Sequence, residues 1–211
     1  MADNNGLRLT YFKGSYGRGG PIRDILTLGG LPFEYEELTF QEFVERKGDL
    51  PFGSLPVLRV EGVERTQSNA LLMYAGMLTG YYSPHGLVGL MTREVLGAVE
   101  DGYALFGDSG KEPDQEIKAA KRQAILDGPL TAWFQAVEAL LARNGFVADT
   151  TWAVGNAAGF TVADFKLFAF IRMIAEGQAD FIPTDAYEQY PLISAHYQAM
   201  IKLRGSHNLE Y

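Results

Sequence analysis

Residues 7–30 read LRLTYFKGSYGRGGPIRDILTLGG, and this stretch decides the fold of the first part of the chain. Leu7 to Phe12 alternates between apolar and polar residues with a period of two, which predicts a strand. The glycine-rich segment 14–20 predicts a loop, and Pro21 suits the first turn of a helix. An apolar stripe over residues 22–28 then ends at two glycines. The stretch therefore predicts a strand, a loop and a helix.

The next fifty residues continue this alternation of strand and helix. Residues 33–38 alternate again, residues 40–46 have helical spacing, and residues 57–60 and 63–66 predict a hairpin around Glu61-Gly62. Ser68 is predicted to cap a helix with an apolar stripe between Leu71 and Leu78. The order β-α-β-α-β-β-α predicts a small mixed sheet covered by helices, ending at about residue 82.

Strand signals nearly vanish after the linker-like segment 81–86. Helical spacing predicts helices over 87–107, 114–143, 162–176 and 189–203, with a break or kink near Gly128-Pro129. The stretch FTVADF at 160–165 predicts a capping box, in which Thr161 caps the helix and Asp164 reaches back. The predicted fold class is therefore α/β plus all-α, with residues 87–211 forming the helical domain.

Composition excludes several classes of function. The chain has 211 residues, a formal net charge of −8 and no cysteine. A surface of that sign repels nucleic acid and anionic membranes, so neither is an expected partner. Without cysteine there is no disulfide, no redox pair and no thiol nucleophile in the chain.

His85, His196 and His207 lack the spacing of metal ligands, so no metal is expected. Since no targeting or membrane-spanning segment is evident, we expect a cytoplasmic protein.

Two loops carry groups that suit a ligand. Pro56 stands at the entrance of the third predicted strand, and a cis bond between Leu55 and Pro56 would open the backbone of Val57 to an extended ligand. Most such bonds are trans, so the local sequence leaves this open. Gln67 and Ser68 precede or begin a helix, where unpaired N–H groups suit a carboxylate, although an ordinary helix cap is the simpler interpretation.

Tyr11 lies near the end of the first predicted strand, directly before the glycine-rich loop. A half-buried strand aromatic is one interpretation of this residue. In a chain without cysteine, its phenol would also be able to donate a hydrogen bond to the sulfur of a bound thiol. The sulfur would then belong to the ligand.

The order of the motifs LTYF, GRGGPIR, LPFGSLPVL, QSNA and FTVADF closely resembles the cytosolic glutathione S-transferases, particularly the sigma-like class. The resemblance covers the whole chain. It implies a thioredoxin-like glutathione-binding domain in residues 1–82 and a helical domain in residues 87–211 that contributes a hydrophobic substrate site. It also implies a detoxifying enzyme that conjugates glutathione, as co-substrate, to small hydrophobic electrophiles.

The resemblance assigns roles to individual residues. Tyr11 would be the catalytic tyrosine, and Arg18 would help to orient the site. Phe43 and Lys47 match a Trp and a Lys around the glycyl end of glutathione, while Ser54 replaces a second Lys, which implies weaker binding. The implied glutathione site comprises Tyr11, Phe43, Lys47, Ser54, Leu55, the cis proline Pro56, Val57, Gln67, Ser68 and Asp101. Relative to the family, the loop 14–20 is one residue longer and lacks the first arginine of an Arg-Gly-Arg stretch.

Two further assignments concern the helical domain. Glu100-Asp101 resembles an acidic pair that reaches across a two-fold homodimer toward the γ-glutamyl ammonium, although a solvated helix face explains it equally well. The hydrophobic substrate would be lined by Tyr16, Tyr103, Phe106, Gly107 and Tyr211. Aromatic residues of a helical domain are, however, more often core residues.

Other functions on this fold stay open. A crystallin-like protein without catalysis is disfavoured by the retained Tyr11, Lys47, Gln67 and Ser68. A carrier of hydrophobic compounds and a glutathione-dependent isomerase such as a prostaglandin D synthase both fit the sequence. The missing cysteines exclude a thioredoxin-type oxidoreductase.

Overall fold

A computed structural model of the chain describes residues 6–148, 150–155 and 159–209. The chain forms two compact units, the first ending at Ser83 and the second beginning at Pro84. None of the described helices has the length and hydrophobicity needed to cross a membrane.

The first unit is a mixed sheet covered by helices. Its elements are β1 (Leu7–Phe12), α1 (Gly20–Leu28), β2 (Phe33–Leu38), α2 (Phe40–Arg46), β3 (Val57–Val60), β4 (Val63–Arg65) and α3 (Ser68–Thr79). The strand order is β2-β1-β3-β4, with β1 parallel to β2 and antiparallel to β3, and β4 antiparallel to β3. The predicted β-α-β-α-β-β-α order is confirmed.

The central strand β1 is covered on both faces. Leu9, Thr10 and Tyr11 are consecutive and all buried, which a strand allows only when both sides of the sheet are packed. The ladder between β1 and β3 ends at the pair Thr10 and Val57. Tyr11 directly follows Thr10 in β1, and Pro56 directly precedes Val57 in β3. Both residues therefore lie next to the last β1–β3 pair.

The second unit is helical. It consists of α4 (Gly86–Ala104), α5 (Gln115–Ile125), α6 (Thr131–Arg143), α7 (Val162–Ala175) and α8 (Pro191–Ser206). The predicted helices are confirmed, with ends that differ by up to three residues. A π-helical turn, Leu126–Leu130, joins α5 to α6 and contains Pro129, which confirms the predicted break. Helix α7 is buried along most of its length and forms the centre of this unit.

The start of α7 confirms the predicted capping box and extends it. Thr161 accepts a hydrogen bond from the Ala163 N–H, and Asp164 accepts one from the Thr161 N–H at 2.8 Å. Asp164 is fully buried and also binds the Ala153 N–H at 2.8 Å and Nε2 of His196, on α8, at 3.0 Å. One carboxylate therefore joins two helices and the preceding loop.

Candidate active site

The glycine-rich loop wraps around the ring of Tyr11. A Cβ atom placed on Gly19 would lie 2.3 Å from Cγ of Tyr11, and one on Gly17 would lie 2.4 Å from its hydroxyl oxygen. Only residues without a side chain allow the backbone to approach this closely. The Tyr11 side chain is consequently held in place and is 6% exposed.

The hydroxyl of Tyr11 is set up as a hydrogen-bond donor. Burial raises the pKa of Tyr11 above the ordinary value of a phenol, and the Arg18 N–H, which donates to the phenolic oxygen at 2.9 Å, only partly opposes this. The phenol therefore keeps its proton at neutral pH. Because Arg18 occupies an acceptor position of the oxygen, the O–H of Tyr11 remains a group that donates.

Tyr16 lies on the same loop but is engaged within the first unit. Its hydroxyl donates to Oδ2 of the buried Asp24 at 2.7 Å, and its ring packs against Gly20. These contacts account for the burial of Tyr16. Its predicted contact with a hydrophobic substrate stays a prediction. The other end of the loop is tied to β2, where Glu37 accepts a hydrogen bond from the Gly14 N–H at 3.1 Å.

The peptide bond between Leu55 and Pro56 is cis, as the resemblance implied. Val57 follows at the start of β3 and is almost completely buried, while Ser54 is exposed in extended backbone. Backbone groups that precede a strand in this way are suited to bind an extended peptide.

Phe43 and Lys47 form a defined pair on and directly after α2. The Lys47 ammonium lies 5.9 Å from the centroid of the Phe43 ring, and that ring contacts Phe12 with a centroid distance of 5.0 Å. The Lys47 stem passes Gly53 so closely that a Cβ atom there would lie 3.3 Å from Cγ of Lys47. The cation is thus exposed but oriented by an aromatic ring and by a turn.

The predicted cap of α3 is wrong by one residue. Gln67 occupies the N-cap position, and Ser68 is the first helical residue. The φ of Gln67 is +73°, in the left-handed region that a residue with a side chain rarely adopts. A backbone that holds a polar residue in this conformation at a helix start is typical of a binding site.

Two of the five residues predicted for the hydrophobic site, Tyr103 and Phe106, belong to the packing of the helical unit. The rings of Tyr103 and Phe106 are buried and contact Phe170 at centroid distances of 5.0 and 6.1 Å. These contacts account for both residues as core, the alternative that their spacing left open. Gly107 is exposed, and Tyr211 lies outside the described residues.

The acidic pair on α4 splits into two different environments. Glu100 forms an ion pair with Lys166, a fully buried lysine on α7, and so contributes to the packing of the unit. Asp101 is exposed. Of the two carboxylates, Asp101 is therefore the better placed to meet a ligand or a partner.

Sequence reasoning missed three supporting residues. Phe12 backs the Phe43 ring, Gly53 makes room for Lys47, and Glu37 anchors the loop at Gly14. The left-handed φ of +56° at Gly53 is the type of feature that a glycine in a turn signals, but the contact with Lys47 depends on tertiary structure.

Comparison with known proteins shows which proteins the chain resembles. Residues 101–204 match the family model described as "Glutathione S-transferase, C-terminal domain". The chain is 27% identical over 205 residues to the "Glutathione S-transferase class-mu 28 kDa isozyme" of Schistosoma japonicum, covering 92% of this chain and 91% of that protein. These similarities in sequence support a glutathione S-transferase.

Other relatives carry a different name within the same fold. The hematopoietic prostaglandin D synthase of Mus musculus is 29% identical over 158 residues, covering 75% of this chain and 74% of that protein. The solved structure of prostaglandin synthase D of Nilaparvata lugens superposes with a TM-score of 0.80 at 22% identity, covering 94% of this chain and 93% of that one. The chain thus shares the fold of that structure.

Proposed function

We propose that this protein is a glutathione transferase that joins the sulfur of glutathione to hydrophobic electrophiles. The observation that carries the proposal is the buried Tyr11, whose raised pKa keeps a donating phenol at the end of β1. Similarity to glutathione S-transferases supports the same activity. The chain has no cysteine, so the reacting sulfur is that of the co-substrate.

The proposed step needs a thiolate at neutral pH. A free thiol with a pKa of about 8.5 is only about 3% ionised at pH 7. Lowering that pKa by about two units requires about 2.7 kcal/mol, and one hydrogen bond to a charged acceptor supplies about 1.5–3 kcal/mol. Tyr11 is therefore able to supply most of this stabilisation by itself.

The bonds in the conjugation step balance without a redox partner. The glutathione thiol loses its proton to water, and the Tyr11 O–H donates to the resulting sulfur anion. The sulfur then attacks the electrophilic carbon, the S–C bond forms, and the leaving group departs with its electron pair. Where the electrophile has no leaving group, a proton from water completes the addition.

The tripeptide would lie along the described groups. Lys47 would meet the glycyl carboxylate, the backbone of Val57 would bind the cysteinyl unit, and the start of α3 at Gln67 would receive the γ-glutamyl carboxylate. The orientation of Lys47 by Phe43 and Gly53 supports this direction of binding. The absence of a second cation at Ser54 predicts modest affinity.

Retention on immobilised glutathione, followed by a conjugation assay with an aromatic halide, tests the proposal. Replacing Tyr11→Phe removes the proposed donor and should lower kcat about 10- to 100-fold with little change in the KM for glutathione. Tyr74→Phe, which removes a phenol from α3, is the control and should leave kcat unchanged. An unaltered kcat in the Tyr11 variant would remove this residue from the mechanism.

Two other outcomes have a defined meaning. Retention without turnover of a broad panel of electrophiles would favour a carrier of hydrophobic compounds. Formation of an isomer of unchanged mass from a prostaglandin endoperoxide, dependent on glutathione, would favour the isomerase named among the relatives. The prostaglandin D synthases in this family make that the second candidate.

We also propose a homodimer in which Asp101 of one protomer serves the site of the other. Asp101 is exposed, and two apolar side chains of the same helix are largely exposed as well, Leu87 at 69% and Leu90 at 58%. Exposed leucines on the same helix as an exposed carboxylate favour a surface that a second protomer covers.

A further inference from the structure

Helix α2 is held in place with little help from burial. All seven of its residues are described, and none of them is buried. A helix of two turns is marginal without tertiary contacts. Its N-terminus has a capping box, in which the Thr39 N–H donates to Glu42 at 2.8 Å and the Glu42 N–H donates to the Thr39 hydroxyl at 3.3 Å. That box starts the helix but does not fix its last turn.

The last turn of α2 is tied to the sheet by Arg46. Its Nη1 donates to Oε1 of Glu36, on β2, at 2.7 Å. The other oxygen of that carboxylate accepts a hydrogen bond from the hydroxyl of the buried Thr10, on β1, at 2.7 Å. A continuous chain of charge-assisted hydrogen bonds therefore runs from the central strand to the end of α2.

The electrostatics of Glu36 agree with this geometry. Burial alone would raise the pKa of its carboxyl, but the hydrogen bonds from Arg46 and Thr10 outweigh burial and lower that pKa. Glu36 is therefore an anion at neutral pH, and it accepts from both partners at once.

We propose that Arg46 and Glu36 are positioning residues, whose ion pair sets where Lys47 stands relative to the glycyl carboxylate of glutathione. Lys47 follows Arg46 directly, so the turn that Arg46 anchors is the turn that presents the Lys47 ammonium. This inference rests on the proposed function, because it assumes glutathione as the ligand.

Glu36→Gln separates positioning from simple electrostatics, because the two explanations predict different changes in the KM for glutathione. Glutathione carries net negative charge, so removal of a nearby carboxylate would leave its KM unchanged or lower it if only the field mattered. Loss of the anchor should raise the KM about two- to fivefold, the range of an ion pair of this exposure, while kcat stays nearly constant. An unchanged or lower KM overturns the proposal.

Variants at Arg46 complete the design. Arg46→Met removes the donor but keeps a long side chain that favours helix, and it should raise the KM as Glu36→Gln does. Arg46→Lys keeps the charge and should restore a KM near that of the unaltered protein. Arg143→Met is the control, because it removes an arginine from an exposed ion pair with Glu94 in the second unit. If Arg46→Met and Arg143→Met shift the KM equally, the anchor is refuted.

Hydrogen exchange without glutathione distinguishes failure of this inference from failure of the proposed function. In Glu36→Gln, amides of the last turn of α2 should exchange faster, since local opening of that turn becomes easier. If the unaltered protein does not bind glutathione, the proposed function fails, and faster exchange still supports the anchor. Unaltered exchange overturns the anchor whatever glutathione does.

Discussion

Tyr11 depends on neighbours that have no side chain. The ring of Tyr11 occupies the space that a Cβ atom of Gly19 would need, and its hydroxyl occupies the space beside Gly17. Gly19 itself has an ordinary φ of −86°, so close approach, and not backbone conformation, requires glycine there. The loop therefore determines where the phenol lies.

Gly19→Ala should displace the Tyr11 ring. Its methyl group would lie 2.3 Å from the ring, a contact that can be relieved only by moving the aromatic side chain or the loop. We expect a fall in kcat of about tenfold and a loss of stability of about 1–3 kcal/mol. Enzyme kinetics and urea unfolding measure the two effects.

The matched control for this change is Gly48→Ala. A Cβ atom on Gly48 would meet no atom of the described residues within 4 Å. Its kinetics should equal those of the unaltered protein. Equal kinetics for Gly19→Ala as well would show that the loop does not position Tyr11.

At the residue level, short motifs predicted what local chemistry determines. The Tyr11 position, the capping box at Thr161 and Asp164, and the cis bond before Pro56 were all available from sequence and resemblance. Tertiary packing decided the rest: the rings of Tyr103 and Phe106 follow helical spacing, which does not distinguish a core side from an open side.

At the level of elements, a capping box occurs once at the surface and once in the buried interior. Helices α2 and α7 both begin with a capping box, Thr39 with Glu42 and Thr161 with Asp164. The first box is exposed to water, whereas Asp164 is fully buried and also binds the Ala153 N–H. Buried donors that lose their acceptor have no water to replace it.

Asp164→Ala should therefore destabilise the protein far more than Glu42→Ala. The first change leaves the Thr161 N–H, the Ala153 N–H and the His196 ring without their acceptor, which should cost about 3 kcal/mol or more. In Glu42→Ala, water reaches the released groups, so a much smaller loss is expected. Denaturant unfolding compares the two variants. Equal losses would mean that the buried contacts of Asp164 add nothing to the cap.

Element order and helix positions followed from periodicity, but the links between elements did not. The ion pair of Lys166 with Glu100 joins residues 66 positions apart, and Asp164 meets His196 across 32 positions. A period of 3.6 residues identifies a helical face but not its partner. For the same reason the Arg46 to Glu36 pair, which we propose positions the glutathione site, appears only once the sheet and α2 are assembled.

At the scale of the whole molecule, the proposed dimer makes a prediction for mass and for catalysis. One chain has a mass of 23.2 kDa, so a dimer should scatter light as twice that mass. Asp101→Asn should leave this mass unchanged and raise the KM for glutathione about two- to fivefold, because a surface carboxylate would be lost from the site. Asp108→Asn, an exposed carboxylate just beyond α4, should leave the KM unchanged. A monomeric mass would contradict the role of Asp101.

The response of the whole molecule to acid is expected to come from carboxylates in both units. In the first unit the pKa of Glu36 is lowered, and in the second unit that of Asp180 is lowered. Burial would raise the pKa of Asp180, but hydrogen bonds and charge from Lys118 and Arg122 outweigh it. A lowered pKa in the folded state means that the contribution to stability is present above the unfolded pKa and is lost as pH falls through the folded one.

Asp180→Asn tests this sign. Arg122 is 5% exposed, donates to Asp180 at 3.1 Å and lies 4.6 Å from the Phe106 ring centroid, so its charge would lose a partner. At pH 7 the variant should be less stable by about 1 kcal/mol, a value kept small because Asp180 itself is partly exposed. As pH falls below the unfolded pKa of about 4 and then through the lower pKa of folded Asp180, this carboxyl protonates and resembles Asn, so the two free energies of unfolding should converge. Urea unfolding at pH 7 and pH 3 measures both. If the two proteins differ in free energy of unfolding by the same amount at both pH values, the shape of the Asp180 side chain, and not its charge, contributes to stability.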